Sequence, residues 1–113
     1  MNSYIYCFIR EDISPEQKIV QLGHACHEAG KLLPANEFKE PSTMILLSAR
    51  DEADLKSISR RIDCAGIDHS MFYEPDPMVN GRPMGYSAIC TRPIFTDRER
   101  AFFRRWDLYR HTY

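Results

Sequence analysis

The chain has 113 residues, so it has the size of one domain and can bury a core without covalent or metal cross-links. Apolar residues make up 43% and charged residues 27%, which excludes the disordered and fibrous classes. The net charge of -1 provides no general attraction to nucleic acid or membranes, so such binding needs a local patch. No apolar run is long enough to cross a membrane and no signal peptide is visible, so we expect a cytoplasmic protein that makes no membrane contact.

The first part of the chain predicts a strand followed by a helix. The apolar run from Tyr4 to Ile9 is typical of a strand covered on both faces. Ser14, Pro15 and Gln17 predict a helix start with a capping box, and Pro34 predicts its end near Leu33. Apolar residues at helical spacing predict the buried stripe of this helix: Ile19, Leu22, Cys26, Ala29 and Leu33.

The middle of the chain repeats this pattern. The run from Thr43 to Ser48 predicts a second strand, and Asp51 predicts the cap of a second helix that ends at Gly66. One face of that helix is apolar: Leu55, Ile58, Ile62 and Ala65. The segments His69 to Tyr73 and Tyr86 to Thr91 predict the third and fourth strands.

Between the last two strands, Glu74 to Gly85 contains three prolines and two glycines, which predicts a loop. Thr96 and Glu99 predict the capped start of a final helix, which carries Phe102, Phe103 and Trp106. The order β-α-β-α-β-β-α predicts one α/β domain over residues 1–113, with a small mixed four-stranded sheet and helices on both faces.

Two groups of residues raise the question of a metal. The cysteines are widely spaced within apolar patterns, which predicts small buried hydrophobic side chains rather than disulfides or zinc ligands: Cys7, Cys26, Cys64 and Cys90. His24, His27 and Glu28 occupy neighbouring helix positions, but a metal needs further ligands, and a contact between His24 and Glu28 also explains the spacing. We therefore expect no metal and no cofactor.

The junction between the first strand and the first helix carries the clearest functional pattern. It reads Ile9-Arg10-x-Asp12 and then Lys18-Ile19-x-Gln21-x-Gly23-His24-Ala25. This pattern resembles the opening motif of the type-two (archaeal and eukaryotic) peptidyl-tRNA hydrolase family, and the predicted order of elements agrees along almost the whole chain. The resemblance implies a cytosolic α/β fold, often dimeric, that cleaves the ester joining a peptide to the terminal ribose of tRNA.

The resemblance also implies an acidic site residue after a later strand, followed by Ala-Gly and a threonine. The corresponding segment here reads Tyr73-Glu74-Pro75-Asp76-Pro77-Met78. Glu74 therefore takes the place of the family's aspartate, Pro75 replaces the alanine, and the next threonine is Thr91. Small phage-encoded proteins similar to this family carry a comparable Phe-Tyr-Glu-Pro-Asp element.

Hydrolysis of an ester needs a base that activates water and a donor for the developing oxyanion. Glu74 or Asp76 can act as the base. His24 can orient the base or transfer a proton. Lys18 can stabilise the negative charge of the intermediate or bind a phosphate. We predict that residues flanking these groups contact the substrate: Arg10, Gln21, Gly23 and Tyr73. The alternative is that the carboxylates of Glu74 and Asp76 only accept hydrogen bonds from backbone amides of their loop and that Lys18 is exposed to solvent.

Two features leave alternatives open. Gly23 costs about 1 kcal/mol relative to alanine inside a helix, which indicates either close contact with another backbone or room for a substrate. Residues 92–113 carry six arginines and three acidic residues, a net charge of +3, while the remainder carries -4. This segment either contacts RNA, with Trp106 and Tyr109 as stacking surfaces, or forms a helix whose arginines face solvent and whose aromatic residues pack in a core or a dimer. We favour the second alternative.

These observations lead to a first hypothesis, hydrolysis of the ester bond of peptidyl-tRNA or of a related ester at an RNA end, by a protein that forms a homodimer. The alternative is a non-catalytic relative of the same fold that binds a nucleotide, RNA or a protein partner. A third hypothesis is a protein-interaction scaffold that uses the segment from Glu74 to Gly85 and the aromatic C-terminus.

Overall fold

A computed structural model describes residues 3–32, 41–78 and 80–109. These residues form four strands and three α-helices in the predicted order, which confirms the α/β class with a mixed sheet. The elements are β1 (Tyr4–Arg10), α1 (Pro15–Gly30), β2 (Thr43–Ala49), α2 (Glu52–Cys64), β3 (His69–Pro77), β4 (Pro83–Thr91) and α3 (Asp97–Phe102), followed by a short 3₁₀ helix (Phe103–Arg105).

The strand order in the sheet is β2-β1-β4-β3. β1 is parallel to β2, whereas β4 is antiparallel to both β1 and β3. β1, β2 and β3 therefore run in the same direction, and their carboxyl ends lie at one edge of the sheet. In α/β sheets this edge is where ligands usually bind.

The core has two parts because successive side chains of a strand point to opposite faces of the sheet. Tyr6 and Phe8 of β1 face one cluster, together with the apolar residues of α2. Cys7 and Ile9 face the other cluster, together with residues of α1. The helices thus cover both faces of the sheet, as the sequence predicts.

α1 begins as predicted, but it differs from the prediction in its capping and its end. The Ser14 hydroxyl accepts a hydrogen bond from the backbone N–H of Gln17 at 3.2 Å. The side chain of Gln17 does not complete a capping box, because its oxygen accepts a hydrogen bond from Gln21 instead. The helix ends at Gly30, earlier than predicted, while the predicted stop at Leu33 and Pro34 lies outside the described residues.

The predicted buried stripe of α1 is rotated towards Gln21: it is confirmed for Ala29 and in part for the half-buried Leu22 and Cys26, but it is wrong for Ile19. Ile19 is 75% exposed, whereas Gln21 is buried together with Ala25 and Ala29. A polar side chain can occupy the buried face when its hydrogen bonds are satisfied there, and Gln21 satisfies this condition. In α2 the predicted face is confirmed for Leu55, Ile58 and Ile62 but is wrong for Ala65, which is exposed.

The predicted loop from Glu74 to Gly85 is largely strand. β3 continues to Pro77 and β4 begins at Pro83, so that only five residues separate the two strands. The backbone N–H of Met78 donates to the carbonyl of Arg82 at 2.8 Å. β3 is an edge strand with irregular register before Pro77, and proline is tolerated in such strands because they leave one side unpaired.

The aromatic residues near the C-terminus belong to the core, as the favoured interpretation predicts. Phe103 stacks on Tyr6 with ring centroids 4.1 Å apart, and Trp106 meets Phe8 edge-on at 5.2 Å. The chain then returns to β2, where the backbone N–H of Tyr109 donates to the carbonyl of Leu46 at 2.9 Å. Arg110 of the basic segment lies outside the described residues.

The start of α3 is held by an ion pair whose contribution depends on pH. Arg92 donates to Glu99 at 2.6 Å, and this bond lowers the pKa of Glu99 below its usual value of 4.5. A lowered carboxyl pKa stabilises the fold above the unfolded-state pKa, and this stabilisation is lost as the pH falls through the folded-state pKa. Glu99→Gln should therefore lower the free energy of unfolding by about 1 kcal/mol at pH 7.

Urea unfolding of both proteins between pH 7 and pH 3 checks this expectation. The difference between them should shrink progressively once the pH falls below 4.5. A difference that stays constant over this range would show that the charge of Glu99 is not the cause.

Candidate functional site

The residues predicted to form a site lie around the carboxyl edge of the sheet. Glu74 and Asp76 lie near the end of β3, while Lys18, Gln21 and His24 lie on α1. A cleft of about 440 Å³ opens between the start of α1 and the hairpin of β3 and β4. Its lining residues are Asp12, Ile13, Ser14, Gln17, Pro77, Met78, Asn80 and Met84.

A hydrogen-bond network joins α1 to the end of β3. The amide of Gln21 is buried, and its nitrogen donates to Glu74 at 2.9 Å and to Gln17 at 3.1 Å. Its oxygen accepts from the hydroxyl of Ser87 at 2.7 Å. The other carboxylate oxygen of Glu74 accepts from the backbone N–H of Asp76 at 3.2 Å. Both oxygens of Glu74 are therefore fixed, and each keeps a further lone pair that can accept a hydrogen bond from water.

Lys18 and His24 flank this network and have other partners. The ammonium of Lys18 donates to the hydroxyl of Tyr109 at 3.2 Å and lies 5.3 Å from the centre of its ring. The imidazole of His24 is exposed and stacks on Phe72, with ring centroids 4.4 Å apart. Among the described residues, Lys18 forms no ion pair with a carboxylate. The structure thus brings together Gln21 and Glu74 but does not join either Lys18 or His24 to them.

Arg10 lies in the interior, below the cleft. It is only 3% exposed, and it forms a two-pronged ion pair with Asp12 through bonds of 2.8 and 2.7 Å. Its remaining nitrogen donates to the carbonyls of Met84 and Tyr86 at 2.5 and 3.0 Å. The carboxylate of Asp12 raises the pKa of Arg10 above its ordinary value, so the guanidinium stays charged. Arg10 therefore connects β1, the start of α1 and β4.

The remaining predicted site residues lie at the surface. Tyr73 is 50% exposed and meets Tyr86 edge-on at 5.1 Å. The side chain of Asp76 is exposed, and only its backbone contacts Glu74. Gly23 is exposed as well, and a Cβ atom added there would have no neighbour within 4 Å in the part of the chain that the structure describes. The explanation of Gly23 by close contact with another backbone is therefore wrong, while room for a substrate stays a prediction.

Gly23→Ala should stabilise the protein, because alanine is better than glycine in a helix by about 1 kcal/mol and the added methyl group has space. We expect the midpoint of thermal unfolding to rise by about 4 °C. Gly66→Ala is the matched control, since Gly66 has a φ of +75° that disfavours alanine and should give a decrease. A decrease for Gly23→Ala as well would contradict the open environment of Gly23.

Three contributors to this region could not be identified from the sequence. Ser87 completes the network of Gln21, and Tyr109 returns from the C-terminus to Lys18. Glu52 of α2 accepts a hydrogen bond from the backbone N–H of Tyr86 at 2.8 Å. Its carboxylate fills the space that a side chain at Gly85 would need, and Gly85 has a φ of +73°, so this position requires glycine.

The potential metal ligands on α1 do not converge. Glu28 forms an ion pair with Lys31 at 3.0 Å rather than with His24. Within the described ranges, the potential ligands that do converge are Cys7, Cys26 and Cys90, whose sulfur atoms all lie within 4.8 Å of one another.

The burial of the cysteines agrees with the prediction only in part. Cys7 and Cys90 are buried and Cys26 is half-buried, but Cys64 is exposed. Hydrogen bonding with the sulfur atoms of Cys7 and Cys90 lowers the pKa of Cys26. The same bonding to Cys26, together with burial, raises the pKa of Cys7 and raises that of Cys90 to about 12.

No model of a protein family matches the chain, and no curated protein is significantly similar to it. Among the described residues, no helix is long and apolar enough to span a membrane.

Proposed function

We propose that this protein hydrolyses the ester bond of peptidyl-tRNA or of a related ester at an RNA end. The observation that carries the proposal is the fixed carboxylate of Glu74, which the buried amide of Gln21 orients near the end of β3. The resemblance of the junction from Arg10 to Ala25 to the type-two peptidyl-tRNA hydrolases supplies the substrate class. The proposal includes a cytoplasmic location.

In this proposal Glu74 is the general base. It takes a proton from a water molecule, whose oxygen attacks the ester carbonyl carbon and forms a tetrahedral intermediate. The intermediate collapses as the bond to the ribose oxygen breaks, and that oxygen receives a proton. The products are a free peptide carboxylate and a free hydroxyl at the RNA end.

Lys18 and His24 have supporting roles in the proposal. The ammonium of Lys18 sits on a flexible stem, so it can leave Tyr109 and neutralise the oxyanion or a phosphate of the substrate. The exposed imidazole of His24 lies on the same helix and can deliver the proton to the leaving oxygen. Gln21 acts by positioning Glu74, and Arg10 by holding β1 against β4.

Purified protein and a peptidyl-tRNA analogue, such as an N-acetyl-aminoacyl-tRNA with a labelled amino acid, provide the test. We expect release of the labelled N-acetyl-amino acid at a rate proportional to the protein concentration. Release no faster than the spontaneous hydrolysis of the analogue, at a protein concentration that saturates binding, would contradict the proposal.

A second candidate is a non-catalytic relative that binds an RNA end, a nucleotide or a protein partner at the same cleft. It is favoured by the separate engagement of Lys18 with Tyr109 and of His24 with Phe72, since neither contacts Glu74. In the same assay this candidate gives binding without turnover, and the ligand raises the midpoint of thermal unfolding.

The proposal also includes a homodimer, because α1 exposes two apolar side chains on its outer surface. Ile19 is 75% exposed and Val20 is 47% exposed. Contiguous exposed apolar surface is typical of interfaces between proteins. The molar mass in solution, measured by light scattering, decides between a monomer and a dimer.

A further inference from the structure

Three cysteine side chains from three separate elements meet in the core on the α1 side of the sheet. Cys7 lies in β1, Cys26 in α1 and Cys90 in β4. The sulfur of Cys7 is 3.8 Å from that of Cys26 and 3.6 Å from that of Cys90, and all three sulfurs lie within 4.8 Å of one another. Packing of small hydrophobic side chains does not require three sulfur atoms to point at one place.

The distances agree with the geometry of thiolate metal sites. With metal–sulfur bonds of about 2.3 Å and tetrahedral angles, two sulfur ligands lie about 3.8 Å apart. The two measured separations from Cys7 are close to this value, so a metal ion can bind between the sulfurs with little movement of the backbone. Thiolate ligands select soft metal ions such as Zn²⁺ and Cu⁺ over Mg²⁺ and Ca²⁺.

We propose that Cys7, Cys26 and Cys90 bind one thiophilic metal ion of the class of Zn²⁺ and Cu⁺. This site shares no residue with the proposed hydrolase site, and Cys90 lies five residues along β4 from Gly85, the strand partner of Glu74. Cys7 and Cys90 are buried, whereas Cys26 is half-buried and provides the route to solvent. Three protein ligands leave a further position on a tetrahedral ion for water or an external thiol.

Binding of the ion exchanges protons for metal. Each of the three cysteines binds as a thiolate, so one metal ion displaces the protons that the cysteines carry. No oxidation or reduction takes place. The apparent affinity must therefore rise as the pH is raised from 6 to 8, and the protons released appear in a weakly buffered solution.

The test uses the full chain, reduced and freed of metal with a chelator. Titration with Co²⁺ should give a sulfur-to-cobalt charge-transfer absorption that saturates at one equivalent and disappears when Zn²⁺ is added. A parallel anaerobic titration with Cu⁺ distinguishes the two members of the class. Binding of either ion should raise the midpoint of thermal unfolding.

The variant that tests the site is Cys26→Ser, because Cys26 is the most exposed of the three side chains and its replacement disturbs the core least. Residues that only form hydrogen bonds to metal ligands typically contribute about 10- to 100-fold to metal affinity. Cys26 is itself a ligand in this proposal, so we expect Cys26→Ser to lower the metal affinity by at least about 100-fold. Cys64→Ser is the matched control, since Cys64 is exposed and lies on α2, and it should bind the metal as the unchanged protein does.

Alkylation of thiols followed by mass spectrometry gives a readout that needs no variant. In the zinc-loaded protein Cys64 should react while Cys26 is protected, and removal of zinc should make Cys26 reactive. The proposal is overturned if the unchanged protein takes up no metal. It is also overturned if Cys64→Ser weakens binding as much as Cys26→Ser.

Discussion

Glu74→Gln should reduce the rate of peptide release from a peptidyl-tRNA analogue by about 100-fold or more, because general base catalysis typically contributes about 10²- to 10⁴-fold. Glutamine has the same shape as glutamate and keeps an oxygen that accepts a hydrogen bond from Gln21. It has no basic carboxylate, however, and cannot take a proton from water. The variant therefore removes the chemistry of Glu74 while it keeps its packing.

A second carboxylate close to Glu74 makes a comparison possible. Asp76→Asn changes an exposed side chain for which the described residues provide no hydrogen bond, so we expect a smaller loss of activity than for Glu74→Gln. Asp68→Asn is the matched control, since it removes the same charge at an exposed position before β3, at the opposite edge of the sheet from Glu74. A larger loss for Asp76→Asn than for Glu74→Gln would transfer the role of the base to Asp76.

The comparison requires that the variants remain folded, which their thermal unfolding midpoints and affinities for the analogue will show. If Glu74→Gln is folded, binds the analogue and releases peptide as fast as the unchanged protein, Glu74 is not the base. If neither protein releases peptide but both bind the analogue, the non-catalytic candidate accounts for the site.

Most of the fold could be predicted because it follows from local signals. The cap at Ser14 and the left-handed glycine Gly66 each mark a helix boundary within a few residues of sequence. Apolar runs identify β1 and β2 in the same way. The order of elements then restricts the topology to a small number of possibilities.

The rotation of α1 could not be predicted, because it depends on a partner that is distant in the sequence. Gln21 faces the sheet because Ser87 donates a hydrogen bond to its oxygen, and these residues are 66 positions apart. Without that partner a glutamine is expected at the surface and Ile19 in the core. The structure reverses both positions.

Contacts between residues that are distant in the sequence also determine the site, and they could not be predicted. The opening motif identifies Lys18 as a functional candidate, but its contact with Tyr109 arises only because the chain returns to the edge of β2. The convergence of Cys7, Cys26 and Cys90 likewise depends on the packing of three elements. The local periodicity of the sequence does not predict such contacts between distant elements.

Arg10→Ala should lower the free energy of unfolding by about 3 kcal/mol, the largest effect on stability that we expect. Removal of the guanidinium leaves the carbonyls of Met84 and Tyr86 without their buried donor and creates a cavity. It also leaves Asp12 without its partner, at a cost that is reduced because the carboxylate is 40% exposed. The midpoint of thermal unfolding should fall by about 10 °C.

Two further variants make the result specific. Arg98→Ala removes an exposed arginine from α3 and should change the free energy of unfolding by no more than about 0.5 kcal/mol. Arg10→Lys keeps the charge but cannot form the two-pronged bond with Asp12 and the bonds to two carbonyls at once, so it should recover only part of the loss. Each kcal/mol of lost stability should lower the midpoint of thermal unfolding by about 4 °C. A midpoint for Arg10→Ala within about 2 °C of that of the unchanged protein would therefore contradict the structural role of Arg10.

The same variants decide whether Arg10 also contacts the substrate, as the sequence predicts. The guanidinium holds the start of β4, where Gly85 pairs with Glu74, so its loss loosens the strand that supports the proposed base. The two roles affect different kinetic parameters of Arg10→Lys. Direct contact with the substrate predicts a raised Michaelis constant for the analogue with little change in kcat, whereas displacement of Glu74 predicts a lowered kcat with little change in the Michaelis constant. The second result would show that Arg10 acts only by holding β1, α1 and β4 together.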